Sequence, residues 1–325
     1  MENVKLSPAQ KFWKTVKSNP IVVLLVVIGI IVGFTKDNFF SWRNFGNLAS
    51  NTAVRFLIAL GVSGCLITKG TDLSAGRQVG FAACLAGVLL QRANYAGRLF
   101  PNMPEMNMGV VLLIVLAIGA VFGLLNGLII AFLNVPPFIA TLGTQTIIYG
   151  ISLVFTDAQP IGGFQESYNN LINGCIGDPK GFYLPYLLFV AVIFGLFFWF
   201  LYNKPCHGKY MYAIGGNEIA AEVSGVNTKK AKILIYMTAG IMYAMAGYLL
   251  AAKSGGASAS MGNGYELEAI AGCTIGGVLV GVLVFEFLKI VLQFLGVNPY
   301  YNYMVQGIVI VTAVALDIRK YIAKK

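Results

Sequence analysis

Apolar runs of about twenty residues recur along this 325-residue chain, and they limit its possible folds more than any other feature. A run of that length crosses the hydrocarbon core of a bilayer as an α-helix, which satisfies its own backbone amides and carbonyls where water is absent. A transmembrane barrel would instead show alternating segments of about ten residues. Charged residues make up 11% of the chain and hydrophobic ones 57%, against about 25% charged in ordinary soluble domains. The expected fold is an all-α polytopic membrane protein, a helical bundle with about 9–10 transmembrane helices.

Runs near membrane length fall at 20–35, 53–70, 75–91, 108–133, 137–156, 182–202, 232–252, 268–294 and 301–317. Lysines ahead of the run Ile21 to Phe34 would suit a signal peptide, but Lys36-Asp37-Asn38-Phe39-Phe40 offers no small-residue cleavage site. The run is therefore read as a span. Lys5, Lys11, Lys14 and Lys17 place the N-terminus inside, and the linker from Asp157 to Gly181, with Asp157, Glu166 and Asp178 against Lys180, lies outside. Six spans leave the 203–232 loop inside, where its five lysines belong. Three further spans would strand Arg319, Lys320, Lys324 and Lys325 outside. Either a span is missing or the stretch Leu267 to Leu295, too short for two crossings, is re-entrant. The net charge of +10 is concentrated at the N-terminus, in the 203–232 loop and in the tail. That distribution orients a membrane protein and does not point to nucleic acid.

A faint repeat is present. GVSGCLITKGTDLSAGRQVGFAA and AGYLLAAKSGGASASMGNGYELEAIAG each run from a span through a glycine-rich loop and an acidic-Leu pair into a small-residue span. Starting on opposite sides of the membrane, they would form an inverted-topology repeat. Gly119, Gly123 and Gly127 fall four apart on one helix face, and Gly240, Ala244 and Gly247 are spaced similarly. Small residues at this spacing let helices approach closely in lipid, which makes these faces packing surfaces.

Catalytic chemistry is not legible. No G-x-x-x-x-G-K-S/T phosphate loop occurs, so energy from ATP would have to come from a partner. Cys65, Cys84, Cys175, Cys206 and Cys273 are scattered without a C-x-x-C pair, and His207 is the sole histidine, so neither a metal cluster nor a catalytic set is expected. Glu286 and Lys289 share a helical face and can pair. In TKGTDLSAGRQ, Asp72 precedes a helix beginning near Ser74. It can cap that helix, or it can stand beside a permeation path, since a polar turn at membrane depth needs protein or water around it. Thr71, Asp72 and Ser74, with Glu266 of the second copy, are the candidate translocation-path residues. Asn134-Val135-Pro136-Pro137 breaks the chain between two spans and is assigned no chemistry.

The 203–232 loop, NKPCHGKYMYAIGGNEIAAEVSGVNTKKAK, carries the marks of one short helix. Asn217 can cap it, Glu218 suits its positive first turn, Ile219, Ala220 and Val223 cluster on one side, and Gly225 can end it. A two-turn helix projecting from a membrane domain suggests a docking element.

The pieces LIALGVSGCLITKGTDLSAGRQVG, FGLLNGLIIAFLNVPPFIATLGT, GKYMYAIGGNEIAAEVSGVNTKKAK, GYELEAIAGCTIGG and LGVNPYYNYMVQGIVIVTAVALD, in this order, cover nearly the whole chain. The chain resembles the permease subunits of bacterial ribose/galactose-type ABC sugar importers. G-T-D-L-S-A-G-R-Q and V-N-P-Y are similar to the galactoside branch of that family. The resemblance implies one permease domain over 1–325, in the bacterial inner membrane, translocating a monosaccharide such as galactose or methyl-galactoside. It implies a homodimer, an ATPase partner carrying both ATP sites on one tandem polypeptide, and an extracytoplasmic sugar-binding protein. ATP would bind that partner, and this chain would need no cofactor. It also implies that Asn217, Glu218, Ala221, Glu222, Ser224 and Gly225 contact the ATPase while Ile219 and Val223 fill its groove. The chain departs from the family after GYELEAIAGCTIGG, where Gly277 runs directly through Val278, Leu279 and Val280 to Gly281. Loss of a re-entrant turn and part of a span is expected there. The rival readings are a stand-alone secondary carrier or facilitator, which would need no docking helix, and a membrane-embedded enzyme, which would need convergent catalytic groups.

Overall fold

The computed structural model describes residues 20–178, 181–204, 206–298, 300–301, 303–309 and 311. In chain order the elements are α1 (Pro20–Thr35), α2 (Trp42–Ile67), α3 (Ala75–Leu89), α4 (Met108–Phe132), α5 (Pro137–Thr156), α6 (Glu166–Asn173), the antiparallel ribbon β1 (Cys175–Gly177) and β2 (Tyr183–Pro185), α7 (Tyr186–Asn203), α8 (Cys206–Gly216), α9 (Glu218–Val223), α10 (Thr228–Ser254), α11 (Tyr265–Gly276) and α12 (Val278–Phe294). Five of these, α2, α4, α5, α7 and α10, are long and apolar enough to cross a membrane. Local chemistry sets their ends. Ser41 Oγ accepts from the amide of Asn44 at the start of α2, which therefore begins well before the run at 53–70. Asn107 Oδ1 accepts from Gly109 N at the start of α4, 2.8 Å away. Pro137 opens α5 after a left-handed Asn134, as suits a residue without an amide hydrogen.

α10 is the central post, buried over most of its length against α4, α3 and α2. The small-residue faces make this packing possible. A Cβ on Gly119 would lie 2.5 Å from the carbonyl oxygen of Gly240, and one on Gly127 would lie 2.7 Å from Cα of Ile233. At Gly123 it would overlap the carbonyl of Tyr236, and at Gly247 that of Val79. The backbones touch, and dispersion between them replaces the hydrophobic drive that lipid does not provide.

The run at 268–294 is not one continuous helix. It divides at Gly277, whose φ of 80° and ψ of 169° suit glycine alone. α11 and α12 fold back on each other across Gly272 and Gly281, where a Cβ on Gly281 would overlap the Gly272 carbonyl. α11 runs alongside α2 in the same direction, with Glu268 beside Arg55 and Cys273 Sγ 3.6 Å from the carbonyl oxygen of Ala59. α12 returns past α1, with Phe287 on Gly29 and Phe294 packed edge-on against Phe39 in the α1–α2 loop, ring centroids 5.2 Å apart. At 1.5 Å per residue the arms are about 18 and 25 Å long, and they run antiparallel from the Gly277 turn.

As a hairpin the run makes an even number of crossings in place of one. A crossing by the run at 301–317, which lies partly outside the described residues, would then return the basic tail to the side of the 203–232 loop. A helical hairpin fits both explanations for the charge mismatch, a further crossing or a re-entrant stretch, since either changes the parity.

Candidate functional site

Between α2 and α3 the chain turns inside the bundle and gathers polar groups from four helices. Asp72 Oδ1 accepts from the amide of Ser74 at 3.0 Å and from its hydroxyl at 2.6 Å. Ser74 Oγ in turn accepts from Gln78 Nε2 at 2.8 Å and from Asn126 Nδ2 of α4 at 2.9 Å. Thr144 of α5 donates to Asn126 Oδ1 at 2.7 Å. Thr141 closes the other side, accepting from the amide of Leu73 at 3.1 Å and donating to the carbonyl of Thr71 at 3.3 Å. Asp72, Ser74, Asn126 and Thr141 have no solvent exposure. Within this cluster Asp72 Oδ2, Gln78 Oε1 and the hydroxyls of Tyr236 and Tyr243 from α10 lack a hydrogen-bond partner. Buried polar atoms at membrane depth are expensive to leave unpaired, so spare donors and acceptors here mark a place where hydroxyl-bearing or aqueous groups can be received.

Glu266 is buried in the first turn of α11, and its carboxylate packs on Gly76, two residues beyond Ser74. The loop ahead of it, with Gly262 at φ 81°, lies along α3 against Gly76 and Gly80. Thr71, Asp72, Ser74 and Glu266 thus collect at the start of α3. Asp72 Oδ1 holds the helix start, as the capping reading expects. Gln78, Asn126, Thr141, Thr144, Tyr236 and Tyr243 were not foreseen. The available signal was their polarity inside apolar spans.

A second cluster joins the hairpin to α2. Glu286, 1% exposed, lies 2.8 Å from Arg55 Nε and 3.1 Å from Lys289 Nζ. Glu268 lies 3.1 Å from the same Arg55 nitrogen and 2.6 Å from Lys289. Two cations and two carboxylates therefore neutralise one another, and the guanidinium also sits 4.5 Å over the ring of Tyr265. The Glu286–Lys289 pair is as expected from its spacing. Arg55 and Glu268 complete it only in the fold.

In the 203–232 loop α9 stands apart from the bundle. Asn217 Oδ1 accepts from the amide of Ala220 at 3.0 Å, and Gly225, at φ 87°, ends the helix with its amide on the carbonyl of Glu222. Ile219 and Val223 are 75% and 85% exposed. Glu222, Ser224 and Gly225 are exposed beside them. Two apolar side chains are held out to solvent on a capped helix, the kind of feature found where proteins bind partners. Ala221, expected at the docking surface, lies beneath it, packed with Ile214 and Ala231. With a helical repeat of 3.6 residues, it faces away from Ile219 and Val223. Glu218 pairs with Lys232 at 2.5 Å and pins the start of α9 to α10.

A bundle of apolar helices with a buried polar turn and a projecting capped helix, in a chain matched by a permease family, defines a multi-pass transport permease, which is a transport subunit and not an enzyme. Residues 44–314 match the family described as the branched-chain amino acid transport system permease component, and the chain belongs to that family. It is 46% identical to the galactose/methyl galactoside import permease protein of Escherichia coli (strain K12), over 94% of this chain and 94% of that protein. The corresponding protein of Haemophilus influenzae is 45% identical over 97% of this chain and 98% of its own length. The ribose import permease protein of Escherichia coli (strain K12) is 33% identical over 95% and 96%. No solved structure matches the chain. The resemblance drawn from the motifs is borne out by these relatives.

Proposed function

We propose that this chain is the inner-membrane permease subunit of an ATP-driven importer for galactose or methyl galactoside. The observation that carries this reading is 46% identity, over nearly the full length, to a protein named for that import. An ATPase docks on α9 from the cytoplasm, with Ile219 and Val223 in its groove and Asn217, Glu218, Glu222, Ser224 and Gly225 around them. Its closing and opening shift the bundle between outward- and inward-open states. ATP binds to that partner, on a single tandem polypeptide, and this chain carries no cofactor. An extracytoplasmic binding protein delivers the sugar, and a second copy of the chain completes the pathway. Thr71, Asp72, Ser74 and Glu266 border the route of the sugar, whose hydroxyls are met by the spare donors and acceptors of the polar turn. The exposed apolar face of α9 favours this reading over a stand-alone carrier, for which such a face would be a liability.

The test is co-expression with the neighbouring ATPase and binding protein, followed by reconstitution in liposomes. A stable complex whose ATP hydrolysis rises with galactose-loaded binding protein is the expected result. Sustained galactose flux through the chain alone, without ATP, would refute the reading.

A further inference from the structure

The cytoplasmic loop and the buried polar turn meet at a close contact. α8 ends in Gly215 and Gly216, and a Cβ on Gly215 would overlap the carbonyl oxygen of Ile67, the last residue of α2. Lys69, two residues on, holds a left-handed backbone at φ 59°, uncommon for a residue with a side chain. Its Nζ donates to the carbonyl oxygen of Gly216 at 3.3 Å. The end of α8 is thus joined to the end of α2 by a backbone contact and by a hydrogen bond.

Each side of this contact leads to one of the two functional elements. Asn217, directly after Gly216, caps α9, and Ala221 is packed on Ile214 of α8, so α9 and the end of α8 move as one piece. On the other side Lys69 is followed at once by the turn from Gly70 to Ser74. That turn is tied to α5 through Thr141 and to α4 through Asn126. A cavity of about 260 Å³ lies between them, bordered by Lys69, Gly70, Asn217, Glu218 and Tyr236, and leaves room for the parts to shift.

We propose that Gly215 and Lys69 form the joint through which movement of α9 reaches the polar turn. They are positioning residues that touch no sugar, and the proposal rests on the reading of α9 as the ATPase docking helix. Pressure on α9 displaces Gly216. Through Ile67 and Lys69 that displacement moves the Asp72 turn, and with it the side chains bonded to α4 and α5. Glycine at 215 is required because the two backbones are in contact. In the helix itself alanine would be favoured there.

The test uses this chain in its complex with ATPase and binding protein, reconstituted in liposomes, and reads galactose imported per ATP hydrolysed. Lys69→Met and Gly215→Ala are expected to keep the ATPase bound and hydrolysing while the ratio falls about tenfold, within the usual range of coupling between sites. Lys69→Arg, which keeps the donor, is expected to stay close to the wild-type ratio. An unchanged ratio in Lys69→Met, or loss of the ATPase from the complex in place of uncoupling, overturns the joint. Should Gly215→Ala fail to insert, Lys69→Met decides alone, since the Lys69 side chain is exposed. Failure of the wild-type chain to bind the ATPase at all would instead overturn the proposed function.

Discussion

Replacing Glu286 with glutamine is the sharpest test of how the hairpin is held. Glu286 is 1% exposed and lies within 3.1 Å of both Arg55 and Lys289. The substitution keeps its shape and removes one of two negative charges facing two cations, leaving Glu268 to serve both. Removing one partner of a buried ion pair costs about 3–5 kcal/mol, because a cation is left short of its counter-charge in a largely buried place. At 1.36 kcal/mol per tenfold, local opening of α11 and α12 should become about 150- to 5,000-fold more frequent. The double variant Glu286→Leu with Lys289→Leu removes one charge of each sign and leaves the Arg55–Glu268 pair intact. Replacement of a whole ion pair by apolar groups is often neutral or stabilising, so this variant should open at close to the wild-type rate. Amide hydrogen exchange over residues 265–294 in detergent or nanodiscs reads the opening directly. Wild-type protection in Glu286→Gln, or a double variant as unprotected as the single one, would show that the charges do not hold the hairpin.

Gly123→Ala places a Cβ on the Tyr236 carbonyl and should lower stability by about 1–3 kcal/mol, as overpacking does. Gly143→Ala, in α5 with no atom within 4 Å of the new Cβ, should be neutral or slightly stabilising; thermal unfolding of the two side by side checks this. Asn217→Ala removes the cap of α9 at about 0.5–2 kcal/mol. It should weaken ATPase co-purification, with Asn217→Asp retaining it. Because the hairpin brings the chain back to the α1–α2 loop, a single cysteine placed after Lys320 should resist an impermeant reagent added from outside, whereas strong labelling would mean nine full crossings. Ser74→Ala removes the hydroxyl shared by Asp72, Gln78 and Asn126. The loss should be about 1–3 kcal/mol, since those polar groups are then left short of partners, and should show as lower transport at unchanged membrane insertion.

The long spans were legible because the bilayer requires about twenty apolar residues whatever surrounds them. The same holds for α9. Asn217, Gly225 and the positions between them act within one or two turns, so capping and termination could be read without knowledge of the rest of the chain. The glycine stripe of α4 announced a close packing face, but its partner, the backbone of α10 from Ile233 to Gly240, came only with the fold. The run at 268–294 reads as a single span by hydropathy, with the charge mismatch the one sign of a fold-back. Hydropathy records how apolar a segment is and says nothing of where it reverses, and the reversal rests on the backbone angles of Gly277.

The sequence by itself determined the solvent this protein lives in, the caps of its short exposed helix and the family, since each depends on local composition or contiguous motifs. Tertiary structure decided what the polar residues do. Ser74 meets Asn126 across 52 residues, and Arg55 meets Glu268 across 213. A buried charge or amide becomes affordable only when the partner that neutralises it arrives from another helix, and no local pattern encodes that arrival.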